Sequence, residues 1–109
     1  MNKRRSKDSR EENRERNLRY LSVRVTGGVG SWFKKGSRIF WVHLSRPLPR
    51  DLVLKKLSEV FPEENLKLNN PLIDGPVFCY AFRTERVYSI EDAWNRCVQA
   101  LSEACINGP

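Results

Sequence analysis

The sequence is poor in the residues that build metal centres and disulfide scaffolds. It has one histidine, His43, and three cysteines, Cys79, Cys97 and Cys105, none in a Cys-x-x-Cys spacing. Because a structural zinc site needs four closely placed ligands, we expect no zinc and no other cofactor. A small, odd number of cysteines is also untypical of a secreted disulfide scaffold, which favours a reducing intracellular compartment, nuclear or cytoplasmic.

Long apolar runs and nucleotide-binding loops are also missing. No segment approaches the roughly 20 apolar residues of a membrane-spanning helix, and the first residues lack the apolar core of a signal peptide. In the glycine-rich stretch, Gly30 and Gly36 are separated by five residues. Ser37 follows Gly36 without the lysine that a phosphate-binding loop needs. The sequence therefore predicts neither a membrane span nor a nucleotide hydrolase.

Positive charge is what the chain has in excess. The 109 residues include 20 Lys and Arg against 13 Asp and Glu, which gives a net charge of +7. Residues 1–19 alone hold eight of these basic residues and four of the acidic ones. A surplus of this kind attracts polyanions over several ångströms. The composition therefore favours nucleic acid, an acidic protein or an anionic surface as the partner.

We interpret residues 1–18 as a flexible basic arm and residues 19–109 as a single domain. The arm has almost no apolar residues and cannot bury itself, so we expect it to be disordered. Ser9 and Glu12 nevertheless have the spacing of a helix start, which gives the arm a helical bias. A basic segment of this type suits either a nuclear-import signal or a nucleic-acid-binding arm.

Two strands are predicted on either side of the glycine-rich stretch. From Tyr20 to Thr26, apolar and polar residues alternate, so that Leu21, Val23 and Val25 would share one buried face. The second strand has two apolar faces, and we expect the second of them to be covered or used. One face carries Phe40, Val42 and Leu44, and the other carries Ile39, Trp41 and His43.

Two helices and two further extended segments complete the domain. Pro49 and Asp51 predict the start of a helix that ends after Phe61, and Ser89 predicts the cap of a second helix, with Trp94, Cys97 and Cys105 on its buried stripe. Residues 66–68 and 77–83 read as strands between the helices. The order β-β-α-(β)-β-α predicts an α+β fold, with both helices on one face of a small antiparallel sheet. It divides into two ββα units, Tyr20–Phe61 and Leu66–Ile106, that share no residue repeat.

The connection between the first two strands is the first candidate binding element. It runs from Gly27 to Gly36 and carries Trp32, Phe33, Lys34 and Lys35. Aromatic side chains can stack on unpaired bases while neighbouring lysines meet phosphates. The alternatives are a lid folded over the core and a contact with an anionic membrane surface.

The second face of the sheet is the other candidate. We expect Tyr20, Arg24, Trp41 and His43 to project away from the helices, because side chains alternate along a strand. An aromatic and basic sheet face has the physical logic of an RNA-binding platform, whereas Trp41 beside Ile39 equally suits a homodimer interface. His43 and Cys79 on adjacent strands could resemble a general base and a nucleophile. Because the sequence identifies no third group to orient them, we predict a protein that is not an enzyme.

These patterns together predict a nucleic-acid-binding protein, with RNA favoured over DNA. Displayed aromatics suit unstacked bases, and no helix that is basic along one side is evident in the sequence. The alternative is a dimeric adaptor that binds another, acidic protein through its apolar sheet face, with the arm as a localisation signal. The candidate nucleic-acid-binding residues are Lys3, Arg4, Arg5, Arg10, Arg14, Arg16, Arg19, Arg24, Trp32, Phe33, Lys34, Lys35, Arg38 and Trp41.

Overall fold

The computed structural model describes the backbone of residues 2–27, 38–69 and 77–108, and the side chains of residues 10–27, 39–69 and 78–108. Within these residues the chain forms three helices and four strands, which confirms the predicted α+β class. In chain order they are α1 (Asn2–Ser22), β1 (Val23–Gly27), β2 (Arg38–Leu48), α2 (Arg50–Val60), β3 (Leu68–Asn69), β4 (Val77–Thr84) and α3 (Ile90–Asn107).

The sheet has the order β1-β2-β4-β3, and every neighbouring pair is antiparallel. Two hairpins, β1–β2 and β3–β4, therefore meet through β2 and β4, and each hairpin is followed by one helix. This is the arrangement of two ββα units. The units are interlocked, because α3 of the second unit packs against β1 and β2 of the first and also against α2.

The hydrophobic core lies between one face of the sheet and the helices α2 and α3. Alternate strand residues point into it, as the period of two along a strand requires. The helices contribute residues three or four positions apart. The predicted burial of Phe40, Val42, Leu44, Val53, Leu57 and Phe61 is confirmed, and Tyr80, Phe82, Cys97, Leu101 and Cys105 complete the centre of the core.

Both core helices begin where the sequence predicts. α2 starts directly after Pro49, and Phe61 follows its last residue. At the start of α3, the backbone N–H of Asp92 donates to the Ser89 hydroxyl oxygen at 3.0 Å, which satisfies one of the unpaired donors of the first turn. Gly108 ends the helix with a positive φ of 87°.

The boundary between α1 and β1 differs from the prediction. The helix continues through Ser22, and the strand begins at Val23 instead of Tyr20. The Tyr20 ring packs edge-on against Trp94 with centroids 4.8 Å apart, and its hydroxyl donates to the Asn95 side-chain oxygen at 3.0 Å. These contacts with α3 hold the last turn of α1 and take Tyr20 away from the sheet face. Leu21, expected in the core, is 79% exposed.

The basic arm is helical in the structure. We expected disorder with a helical bias over residues 1–18, whereas α1 runs without interruption from Asn2 to Ser22. The helix therefore crosses the boundary that we placed at residue 18, and the division of the chain at that point stays a prediction.

Gly27 closes β1 at a position where only glycine fits. Its φ of +99° lies in the region that side chains with a Cβ avoid. A Cβ at this position would also lie 2.5 Å from the carbonyl oxygen of Ile39 on β2. Because backbone cannot move aside as a side chain can, replacing Gly27 would disturb the β1–β2 pairing.

A polar cluster ties the segment after α2 to the segment before α3. The Glu64 carboxylate accepts the backbone N–H groups of Glu85 at 2.7 Å and Arg86 at 3.2 Å. The neighbouring Glu63 accepts the Tyr88 hydroxyl and pairs with Arg96 at 2.9 Å. The Tyr88 hydrogen bond, the backbone and Arg96 together lower the pKa of Glu63. This cluster is structural, since each carboxylate has its partners within the fold.

Candidate nucleic-acid interface

The face of the sheet opposite α2 and α3, here called the open face, is organised in three rows by the strand register. Neighbouring strands lie about 4.8 Å apart and successive rows about 7 Å, so the face measures about 14 Å in each direction. The first row is Arg24, His43 and Cys79; the second is Thr26, Trp41, Ala81 and Asn69; the third is Ile39 and Arg83.

Trp41 lies in the middle row with 44% of its surface exposed. Arg24 is exposed beside it and His43 is half-buried, so the predicted placement of these three residues on one face is confirmed. Tyr20 was predicted to join them, and this is wrong, because Tyr20 belongs to the last turn of α1. Trp41 is thus the aromatic side chain that the open face displays within the part of the chain that the structure describes.

The open face carries basic residues in two of its rows. Arg24 and Arg83 occupy its first and third rows, and none of its described residues is Asp or Glu. An aromatic ring between cationic groups is the combination that binds the bases and the backbone of a single strand. The arrangement is suited to an extended anionic ligand that crosses the rows.

His43 and Cys79 lie directly opposite each other on the open face. Burial is the main cause that lowers the pKa of His43, and Arg24 lowers it further. Burial raises the pKa of Cys79, against a smaller opposing effect of Arg24. His43 Nε2 and the Thr26 hydroxyl lie within hydrogen-bond distance at 3.0 Å. Both pKa shifts disfavour an imidazolium–thiolate pair, so the pair lacks the activation that a cysteine nucleophile needs.

A groove of about 450 Å³ extends the open face toward β3. Its lining includes the open-face residues Ile39, Ala81 and Arg83, together with Arg50 and Lys67. The Arg50 guanidinium donates to the Leu68 carbonyl at 2.8 Å, which places its charge beside the short strand. The basic groove residues Arg50, Lys67 and Arg83 were not among the predicted binding residues. The period of two along β4, extended from Ala81 to Arg83, would have found one of them.

The remaining predicted residues lie in three places. On α1, the side chains of Arg10, Arg14, Arg16 and Arg19 are exposed, and Lys3, Arg4 and Arg5 belong to the same helix. Arg38 begins β2 opposite Thr84. Trp32, Phe33, Lys34 and Lys35 lie outside the described residues, so the contact-loop hypothesis stays a prediction. The structure thus brings Arg24 and Trp41 together on the open face and leaves the arm's arginines on a separate helix.

The described residues contain no group of three His, Cys, Asp or Glu side chains arranged to hold a metal ion. None of their helices combines the length and the apolar character needed to cross a bilayer.

The chain matches no protein-family model, and it has no significant match among curated proteins or among solved structures.

Proposed function

We propose that the chain is a nucleic-acid-binding protein that prefers RNA. The observation that carries this proposal is the open face, where Trp41 is exposed one row from the exposed Arg24 and none of the face's described residues is Asp or Glu. The basic helix α1 adds sequence-independent attraction to phosphates. In this role the protein acts by binding and not by catalysis, within the nucleus or the cytoplasm.

The preference for RNA follows from the exposed indole. Sequence-specific and loop recognition of RNA relies on unstacked bases that pack against aromatic side chains, whereas duplex bases are already stacked on one another. One base on Trp41 contributes about 1–3 kcal/mol to binding. Arg24 lies in the neighbouring row and would meet a phosphate of the same strand. The loop with Trp32, Phe33, Lys34 and Lys35 joins β1 to β2 and remains part of the proposed interface.

The second candidate function is a dimeric adaptor. The observation in its favour is the apolar centre of the open face, where Ile39 and Trp41 lie two residues apart on β2 and Ala81 lies opposite Trp41. Two such faces in contact, or one face against an acidic partner protein, would bury this centre. In this alternative α1 carries a localisation signal and does not bind the ligand.

Trp41→Glu separates the two candidates. A carboxylate in the middle row would have to lose its hydration in either interface, which costs several kcal/mol. Val87→Glu is the matched control, because Val87 is 59% exposed and lies outside the sheet. Binding of a single-stranded RNA is measured by titration and oligomeric state by sedimentation, after the absorbance ratio at 260 and 280 nm has shown whether purified protein carries nucleic acid.

The proposal expects a monomer that binds RNA, with affinity lost in Trp41→Glu and kept in Val87→Glu. A dimer that dissociates in Trp41→Glu while RNA affinity persists would support the adaptor instead. A folded Trp41→Glu variant unchanged in both measurements would remove the open face from either function.

A further inference from the structure

The helix α1 separates its charges onto different faces. With 3.6 residues per turn, positions spaced by three and four residues lie in one line along a helix. Lys3, Lys7, Arg10 and Arg14 have this spacing, and the line continues to Leu18 and Leu21. We call the four basic positions Lys3, Lys7, Arg10 and Arg14 the α1 stripe. Glu11, four residues after Lys7 and three before Arg14, lies at the edge of the stripe.

The four acidic residues of α1 lie on another side of the helix. Asp8, Glu11, Glu12 and Glu15 centre about a third of a turn away from the stripe. The other four basic residues equal them in number and are distributed among and beside them. These are Arg4, Arg5, Arg16 and Arg19. The net charge of the helix is therefore concentrated on the stripe, although the sequence of the arm reads as a mixture of charges.

The part of α1 before its last turn is exposed wherever its side chains are described. Residues 10–19 are all exposed, and the described contacts of α1 with the body involve its last turn, where Tyr20 meets Trp94 and Asn95. Leu18 and Leu21 are 51% and 79% exposed. A helix of 21 residues is about 30 Å long. The described arginines of the stripe, Arg10 and Arg14, are therefore open to solvent and available to a ligand.

We infer that the α1 stripe binds the phosphate backbone of a double-helical segment of the nucleic acid. The inference rests on the proposed function and adds a second contact to it. From Lys3 to Arg14 the stripe is about 16 Å long, with charges about 5 Å apart on average. A rigid row of cations matches a rigid row of phosphates, whereas a flexible single strand can adapt to any side of the helix. The contact is with the backbone, so it does not depend on base sequence.

The same charge pattern argues against another copy of the chain as the occupant. Two stripes facing each other would bring lysines and arginines together, and like charges on neighbouring helices are destabilising. An acidic protein helix would cover Leu18 and Leu21 as well as the arginines. Binding of that kind would depend on the leucines, whereas phosphate contacts depend on the charges.

The test compares two double variants that remove the same charge from different sides of α1. Arg10→Ala with Arg14→Ala removes two charges from the stripe, and Arg16→Ala with Arg19→Ala removes two from outside it. All four side chains are exposed, and alanine favours the helix. Affinity for a 20-base-pair RNA duplex and for a single-stranded RNA is measured from low to physiological salt, with circular dichroism as the check on helix content.

On the duplex, the stripe variant is expected to lower the slope of log affinity against log salt by about 1.8 units. The control variant is expected to lower it by less than about 0.5 unit. On the single strand, the salt slopes of the two variants should fall by similar amounts. Leu18→Ala with Leu21→Ala should leave duplex affinity within about twofold, since phosphates gain nothing from leucine.

Equal slopes for the two arginine variants on the duplex would overturn the inference while leaving nucleic-acid binding intact. A large loss of duplex affinity in the leucine variant, with the salt slope unchanged, would also overturn it. A wild-type protein that binds neither RNA would instead refute the proposed function itself.

Discussion

The helices α1 and α3 are similar in length, at 21 and 18 residues, and opposite in what stabilises them. α3 buries six residues against the sheet and α2, including Cys97 and Leu101, and its first turn is capped by Ser89. In α1, residues 10–19 are exposed, and the last turn contacts the body, where Tyr20 packs against Trp94 and Ser22 is buried. Tertiary packing therefore stabilises α3, whereas α1 before Tyr20 depends on its own backbone hydrogen bonds.

This contrast distinguishes a helix that stabilises the fold, α3, from a helix whose side chains remain available for binding, α1. The two helices meet at Trp94 of α3. Its indole N–H donates to the Val23 carbonyl at 2.7 Å, and its ring packs against Tyr20. Changes in α3 should therefore act on stability, and changes in α1 before Tyr20 should act on binding. The following predictions test this division.

The largest expected effect is on stability. Leu101→Ala should lower the free energy of unfolding by about 2–5 kcal/mol, because Leu101 is fully buried and its removal leaves a cavity. Urea denaturation measures the change, and Leu18→Ala on α1 is the control, with an expected change within about 0.5 kcal/mol. If the two variants unfolded at the same urea concentration, the contrast between the helices would be wrong.

Deletion of residues 1–18 should have the second-largest effect, on binding alone. It removes the α1 stripe, so nucleic-acid affinity should fall about a hundredfold at low salt and the salt slope should drop by about three units. The unfolding free energy should change little, since Tyr20 and its contacts remain.

Two outcomes of the deletion would count against this account. An unchanged salt slope would remove the arm from the binding site. A loss of cooperative unfolding would show that α1 is needed for the fold, and the division at residue 18 would then be wrong.

Trp41→Ala should have a smaller effect that is confined to the sheet. Loss of one stacked base should weaken single-strand affinity about tenfold, with little change in salt slope. Trp32→Ala tests the loop in the same titration, with the same expectation. Thermal unfolding is the accompanying control: a sharp fall in the melting temperature would make the replaced tryptophan part of the core and not a binding residue.

Most of the domain could be predicted because local pattern and final packing agree. Phe40, Val42 and the Ser89 cap are examples, since each requires only strand alternation or helix-start geometry. The boundary at Ser22 could not be found in this way. From Tyr20 to Thr26 the residues alternate like a strand, and the helix continues because Tyr20 meets Trp94 and Asn95, which are distant in sequence.

The site was predictable to a similar degree. Arg24, Trp41 and His43 follow from alternation, whereas the groove residues Arg50 and Lys67 approach the open face only once β3 pairs with β4. The basic side of α1 follows from spacing once the segment is known to be helical. The expectation of disorder concealed it. The apparent lack of a helix that is basic along one side was one of the two reasons for favouring RNA over DNA, and α1 removes that reason, so the preference now rests on the exposed Trp41.

The smallest expected effect concerns pH and His43. Burial and Arg24 lower the pKa of His43, so the ring is neutral at pH 7. Its lowered pKa stabilises the fold fully above the ordinary value of 6.5, and this stability is lost as pH falls below that value. RNA affinity should rise as pH falls below 6.5 and the ring gains charge, and the slope of log affinity against log salt should steepen by less than about one unit. His43→Gln should remove this rise; the same rise in the variant would assign it to another group.

Alkylation of Cys79 in the presence of RNA tests the central claim, that nucleic acid covers the open face. Cys79 is half-buried in the first row, whereas Cys97 and Cys105 are buried in the core, and burial raises the pKa of Cys97 to about 12. The two core cysteines therefore serve as slow internal references at pH 8.5. Saturating single-stranded RNA should slow the alkylation of Cys79 several-fold and leave the references unchanged. An unchanged Cys79 rate with RNA fully bound would contradict the claim.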